Sequence, residues 1–340
     1  MRIAILGCGS IGRRHARNLA ALGRTDLVLF DPDPAARVGL VDAEAPGASF
    51  VTTLEEVWRR DPEVVLVASP SHLHVPQALE AARRGCHLFI EKPLSHDWEG
   101  VDELCAEIAR RGLVSMVGCN MRFHPGPARL KALLDEGAVG RVVAARLYTG
   151  SYLPDWRPGT DFRRSYSASS ARGGGAVLDL IHEIDLALWF FGPGILAASA
   201  TVPADTLGLD VEGLAELLIR HDSGVLSSVH LNFVQRDYRR ECHVIGESGT
   251  LSWTFQEPYV TLHGGGSTAA RREPLPSPWQ VNDMYVDELR HFLGCVESRS
   301  ASPYPADQAR AALRLALDAK TVASQTRSRM ASQTPLTEVS

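Results

Sequence analysis

Hydrophobic and polar positions follow two different periods along this chain, and the change of period divides it. Up to about residue 119, short and continuously apolar runs alternate with stretches of helical period. The runs are Ile3-Ala4-Ile5-Leu6, Leu27-Val28-Leu29-Phe30, Val64-Val65-Leu66-Val67-Ala68, His87-Leu88-Phe89-Ile90 and 114–119. Strands of this kind belong in a parallel sheet covered on both faces. Helices are expected over 13–22, from about 74 to Arg84-Gly85, and over 98–111. This alternation predicts an α/β fold with a doubly wound sheet.

After residue 120 the pattern changes. A helix is expected over 127–136 and a strand over 141–150. Further strands are expected over 196–202, 215–221, 225–233, 242–245, 250–255 and 259–263, with turns at Asp222-Ser223-Gly224 and Glu247-Ser248-Gly249. Such hairpins build an antiparallel sheet. Two helices, 284–296 and 306–324, close the chain.

The longest greasy segment opens on Gly173-Gly174-Gly175 and closes on Gly192-Pro193, the signals for a loop, a helix and a stop. Between them only Asp179, His182, Glu183 and Asp185 are ionisable. On one continuous helix Asp179, His182 and Glu183 share an arc of about 100°, with Asp185 to one side. Buried ionisable groups are costly unless paired or used. The segment therefore reads either as a core helix with a satisfied His–carboxylate pair or as an acid/base pair at the floor of a cleft. His182-Glu183 starts like HExxH, but Leu186 stands where the second histidine belongs, which removes a zincin site.

Composition adds three constraints. The net charge of −5 comes without a polybasic run, which argues against nucleic acid and anionic membrane as partners. A length of 340 residues exceeds one ordinary core and implies two domains. Cys8, Cys86, Cys105, Cys119, Cys242 and Cys295 are scattered, and no signal peptide precedes the first strand. The protein is thus expected to be cytoplasmic with reduced thiols. The segment around 179–191 is too short and too charged to span a bilayer. No metal is expected: His72 and His74 have neither cysteine nor carboxylate beside them and are assigned to a loop near a cofactor.

The first strand runs into Gly7-Cys8-Gly9-Ser10-Ile11-Gly12. There the glycines allow a tight turn, approach of a pyrophosphate and close helix packing, and the helix N-terminus faces the phosphates. The second strand ends at Asp31, at the distance expected of a ribose-binding acid. Asp31 repels a 2′-phosphate, and Pro32 follows where a phosphate-binding Arg or Ser would stand, so NAD is expected rather than NADP. Ligands of such sheets gather beyond the carboxyl ends of the strands. This nominates Gly7, Gly9, Ser10, Ile11, Gly12, Asp31, Ser69, Pro70, His72, His74, Glu91 and Lys92 for the cofactor.

Residues 150–172 have no regular period. A loop of this length is usually functional or disordered, and its aromatics argue against disorder. Tyr152 and Trp156 offer faces to a sugar ring, and Arg163 and Arg164 offer forks for phosphate or carboxylate. With Arg122 and Tyr166 they form the candidate substrate wall. A loop packed for dimerisation or domain closure is the competing reading.

Three motifs together resemble the glucose–fructose oxidoreductase/inositol dehydrogenase/rhizopine catabolism (Gfo/Idh/MocA) family. They are the Gly7–Gly12 turn, Glu91-Lys92-Pro93, and Gly173-Gly174-Gly175 followed by Asp179, His182 and Asp185. The resemblance implies an N-terminal Rossmann domain over 1–121 and a C-terminal α/β domain with a large, mostly antiparallel sheet over 122–325. A polar tail, 326–340, is expected to fray. Nicotinamide is implied between the domains, with Lys92 and His182 near the reacting carbinol and Asp179 beside them. Many members space the aspartate and histidine by four positions and this chain by three, so Glu183 and Asp185 stand as alternative supports for the histidine.

Alcohol oxidation asks for the same groups on chemical grounds: a proton acceptor for the hydroxyl, and charge or donors at the developing alkoxide. His182 and Lys92 suit these two roles in either order. The expected activity is NAD-dependent oxidation of a secondary alcohol of a sugar, polyol or sugar derivative, in a homodimer or homotetramer built through the second sheet. An NAD-dependent glycosidase acting by transient oxidation and a non-catalytic dinucleotide sensor are the rivals that the same fold admits.

Overall fold

Apolar runs too short for a helix become strands where neighbours cover both of their faces. In the computed structural model, which describes residues 1–264 and 270–332 (backbone only for Asp42 and 323–332), this is the fate of the early runs. The chain proceeds through β1 (Ile3–Leu6), α1 (Ser10–Ala21), β2 (Leu27–Phe30), β3 (Ser49–Val51), α2 (Leu54–Trp58), β4 (Val64–Val67), α3 (His74–Arg83), β5 (His87–Glu91), α4 (Val101–Arg111) and β6 (Ser115–Gly118). The sheet is parallel throughout in the order β3-β2-β1-β4-β5-β6. This is the Rossmann arrangement that the glycine turn implied. The pattern did not announce β3 and α2. The strand has three residues, and the five-residue helix is held by a capping box between Thr53 and Glu56.

The second half contains α5 (Pro125–Asp135), β7 (Val142–Tyr152), α6 (Ala176–Asp179), α7 (His182–Phe191), β8 (Gly194–Pro203), β9 (Glu212–His221), β10 (Leu226–Asn232), β11 (Val234–Gly246), β12 (Gly249–Thr254), β13 (Tyr259–Gly264), β14 (Arg271–Pro274), α8 (Asp283–Ser298) and α9 (Ala306–Ser332). Its strands form an eight-stranded sheet in the order β14-β13-β12-β11-β7-β10-β9-β8. The sheet is mostly antiparallel, as expected, with one parallel pair, β7 and β10, at its centre. One face is greasy: Ala215, Leu217 and Ile219 of β9 and Val229 and Leu231 of β10 are buried, while Glu216 and Arg220 between them are exposed.

Three features differ from expectation. The segment after the glycine block is two helices, not one. α6 ends at Asp179 and α7 starts at His182, and at the break the Asp179 carbonyl accepts a hydrogen bond from Lys92 Nζ at 2.7 Å. A cation on the last carbonyls of a helix favours a stop there. The second difference is α8, which folds back onto the first sheet. Its Leu289, Phe292 and Leu293 pack with Ile3, Ile5, Leu29 and Phe89. The third is the polar tail, because α9 continues through 326–332; residues 333–340 lie outside the described residues.

Packing between α5 and β12 leaves no room at one glycine. A Cβ on Gly126 would stand 2.0 Å from the Trp253 indole nitrogen, in the buried core. Gly126→Ala is expected to destabilise the protein by about 1–3 kcal/mol, as overpacking typically does. Equilibrium denaturation measures this, and an unchanged midpoint would show that Trp253 can swing aside.

Candidate active site

The carboxyl ends of the first sheet open into a cleft of about 330 Å³, a volume in the range of small-molecule sites. Gly9, Ser10, Ile11, Ser69, Pro70, His74, Glu91 and Lys92 line it from the first half, and Trp156, Tyr166, Asp179 and His182 from the second. The glycine turn fits a dinucleotide. A Cβ on Gly12 would lie 1.9 Å from the Gly7 carbonyl oxygen, and one on Gly7 within 2.8 Å of Ala68 and Ser69 backbone atoms. Gly9 has nothing within 4 Å and opens to the cleft. It begins α1 without a side-chain cap, so first-turn amides remain for an anion. Gly9, Ser10 and Ile11 would hold the pyrophosphate.

Asp31 stands at the end of β2, accepting from Cys8 N at 2.8 Å and Asp33 N at 3.0 Å, beside the glycine turn and outside the cleft lining. His74 ties two walls together, its ring nitrogens 2.7 Å from the Pro93 carbonyl and 2.8 Å from the Ser69 carbonyl. Glu91 turns inward to His15 at 2.6 Å and accepts from Lys92 N. His72 is not among the cleft residues, and its ring lies against His96 at 6.2 Å.

Lys92, Asp179 and Tyr166 form one connected group. Lys92 Nζ donates to the Asp179 carbonyl at 2.7 Å and lies 3.5 Å from Oδ1, and Tyr166 Oη donates to the same Oδ1 at 2.6 Å. Burial and the neighbouring carboxylate push the Tyr166 phenol well above its usual range, so it stays a donor. His182 is the first residue of α7 and is buried, with Nδ1 unpartnered. Burial first, then Lys92 and Arg240, hold its pKa well below the ordinary histidine value. The ring is therefore neutral at neutral pH.

Comparison with known proteins places the chain in a family. Residues 1–119 match the oxidoreductase family, NAD-binding Rossmann fold, and residues 128–252 match the GFO/IDH/MocA C-terminal domain. A levoglucosan dehydrogenase of Pseudarthrobacter phenanthrenivorans is 30% identical over 296 residues, 75% of this chain and 74% of its own. The chain belongs to the Gfo/Idh/MocA family. A myo-inositol dehydrogenase of Streptomyces leeuwenhoekii is 31% identical over 264 residues, 74% of this chain and 76% of its own. The solved structure of a levoglucosan dehydrogenase with NADH and levoglucosan shares the fold, at a TM-score of 0.86 and 18% identity over 96% of this chain and 97% of that one. The protein is thus an NAD-dependent oxidoreductase of the Gfo/Idh/MocA family.

In this Gfo/Idh/MocA enzyme the carboxylates around His182 are all engaged elsewhere. Asp179 holds Lys92 and Tyr166, Glu183 pairs with Arg240 at 2.7 Å, and Asp185 takes a two-pronged contact from Arg122 at 2.7 and 2.9 Å. None of the three reaches His182 Nδ1. The break after Asp179 turns the expected shared face into two separate ends.

Several candidate substrate residues are not brought to the cleft. Arg122 is spent on Asp185 and stacks on Tyr304 at 3.7 Å. Tyr152 lies under Arg236 at 3.8 Å, and Arg163 is exposed with Asp161 at 3.7 Å. Trp156 does line the cleft, edge-on to Phe233 and donating to Ser151 Oγ at 2.9 Å.

Asn120, at the end of a strand of the first sheet, lines the cleft as its place in the sequence implied, whereas Arg14, Ala68, Gly118, Arg157 and Tyr285 line it without having been singled out from the sequence. Arg14, two positions past the last glycine, was within reach of inspection. Tyr285 gave no local signal, since α8 folding back brings it over Arg14 at 4.3 Å. Among the described residues no group of three or more His, Cys, Asp or Glu is placed to hold a metal ion.

A depressed His182 pKa has a direct check. NMR titration of the imidazole, assigned against His182→Gln, is expected to give a midpoint below the ordinary value of about 6.5. The neutral form then persists into acid solution. A midpoint at or above that value would remove the neutral-base assignment.

Proposed function

We propose that the enzyme oxidises a secondary alcohol of a sugar, polyol or sugar derivative with NAD, His182 accepting the hydroxyl proton and Lys92 stabilising the developing alkoxide. The observation that carries this reading is that a tethered lysine ammonium and a buried, neutral histidine line the same cleft as the dinucleotide turn. NAD, when bound, supplies the hydride acceptor. Asp179 fixes Lys92 through its carbonyl and carboxylate, and Tyr166 holds that carboxylate in place. The Trp156 indole provides an apolar face at the mouth, suited to the C–H surface of a sugar ring. Returning the proton from His182 runs the reaction toward the alcohol by the same groups.

The relatives named for levoglucosan and myo-inositol support a carbohydrate-type substrate. No helix among the described residues is long and apolar enough to cross a membrane, and all six cysteines are free and buried. Reduced thiols support a cytoplasmic enzyme. Net NADH release with substrate separates this reading from transient oxidation by a glycosidase.

Loss of a positioned proton-transfer group costs about 10²–10⁴ in rate. His182→Ala and Lys92→Ala are each expected to lower kcat by that range on a substrate found by screening inositols and anhydrosugars with NAD. Neither residue holds the pyrophosphate or adenosine, so NAD affinity, read by protein fluorescence, should move little. Near wild-type turnover in either variant would strip that residue of its role.

The outer face of the eight-stranded sheet supports assembly. Ile195 and Val202, 67% and 54% exposed, share that face with Leu226 and Ile245, also exposed. Exposed apolar residues on one open sheet face, here interspersed with Glu216 and Arg220, support self-association, most simply a twofold dimer. Light scattering at micromolar concentration is expected to give twice the monomer mass or a multiple of it. A monomer would overturn the assignment.

A further inference from the structure

Glu212, the first residue of β9, is buried directly behind the glycine block. A Cβ on Gly175 would stand 2.3 Å from its Oε1, and that oxygen accepts a hydrogen bond from Val177 N at 3.2 Å. Gly175 is the N-cap of α6 and has no side chain with which to cap it. Glu212 therefore performs from a distant strand the capping that Ser, Asp or Asn perform locally. Lys320, reaching in from α9, lies 3.4 Å from Glu212 Oε1 and donates to the Gly174 carbonyl at 3.3 Å. It compensates the buried carboxylate and ties the glycine backbone at once. The other sides of the block are closed: a Cβ on Gly173 would meet His96 at 2.5 Å, and one on Gly174 would meet the Ser167 carbonyl at 2.4 Å.

A helix of four residues cannot hold its own position, because a single turn fixes many dihedrals for few hydrogen bonds. What α6 carries is the Asp179 carbonyl and carboxylate that hold Lys92 Nζ. We propose that Glu212 and Lys320 are positioning residues: through the glycine block and α6 they set where Asp179 stands, and so where the Lys92 ammonium points in the cleft. The catalytic consequence rests on the reading of Lys92 given under Proposed function, whereas the placement of Lys92 does not. The C-terminal helix is then part of the active-site scaffold, although it touches neither Lys92 nor His182 in any contact described above.

The test uses the full chain, which contains three lysines, Lys92, Lys131 and Lys320. Labelling by acetic anhydride, read residue by residue in a mass spectrometer, reports how firmly each amine is held, with Lys131 as the internal reference. Glu212→Ala and Lys320→Met are expected to speed Lys92 labelling about tenfold, the scale of one lost charge-assisted hydrogen bond. Lys131 labelling and NAD affinity should stay within about twofold of wild type.

Lys320→Arg and Glu212→Gln keep a donor and an acceptor in place, and both should restore wild-type labelling at Lys92. On a turned-over substrate the Ala and Met variants should lower kcat while leaving the KM for NAD unchanged. If Glu212→Ala fails to fold, Lys320→Met, at a partly exposed side chain, carries the test alone. Wild-type labelling of Lys92 in Lys320→Met would overturn the proposal. A Lys92→Ala enzyme that turns over normally would instead sink the catalytic reading of Lys92, leaving the labelling result to stand on its own.

Discussion

One hydrogen bond joins the two halves of this enzyme inside the candidate cleft: Lys92 Nζ to the Asp179 carbonyl at 2.7 Å. The lysine comes from the end of β5, where a parallel sheet presents ligand-binding groups. The carbonyl comes from the last residue of α6, where a helix leaves acceptors unsatisfied. Each end thus supplies what the other lacks. The bond also falls at the break in the central segment. The greasy stretch stops as α6 at Asp179 and starts again as α7, with His182 at the helix N-terminus.

That placement governs the electrostatics. The three carboxylates that accompany His182 are all matched to cations or a phenol from other elements: Asp179 to Lys92 and Tyr166, Glu183 to Arg240, Asp185 to Arg122. A buried charge left unpaired is strongly destabilising, whereas a paired one is close to neutral for stability. The pairs therefore let acids exist beneath the cleft without offering negative charge to the imidazole. What His182 meets instead is burial and two cations, and both effects favour its neutral form. The same positive end of α7 acts in that direction.

The glycine block is the mechanical counterpart of this arrangement. Its three residues are small because three different walls, His96, Ser167 and Glu212, lie within 2.5 Å of where their Cβ atoms would be. α6, a single turn, is thus packed on every side by neighbours from distant parts of the chain.

Much of this was legible in the residues themselves. Continuous apolar runs of four or five, a Gly-x-Gly-x-x-Gly turn and an acid at the end of the next strand define the first sheet, because local sterics and burial suffice to dictate them. Hairpin signals at Asp222-Ser223-Gly224 and Glu247-Ser248-Gly249 placed most of the second sheet for the same reason. Lys92, Asp179 and His182 could be nominated from short local motifs, Glu91-Lys92-Pro93 and the glycine block with the Asp and His that follow it. Other features were decided only by tertiary structure. The parallel pairing of β7 with β10, the return of α8 that brings Tyr285 to the cleft, and the loss of Arg122 to Asp185 depend on contacts between residues far apart in the chain. Helical period alone placed Asp179 and His182 on one face. The helix break between them coincides with a contact from a lysine 87 positions away, and no local pattern encodes where that ammonium comes to rest.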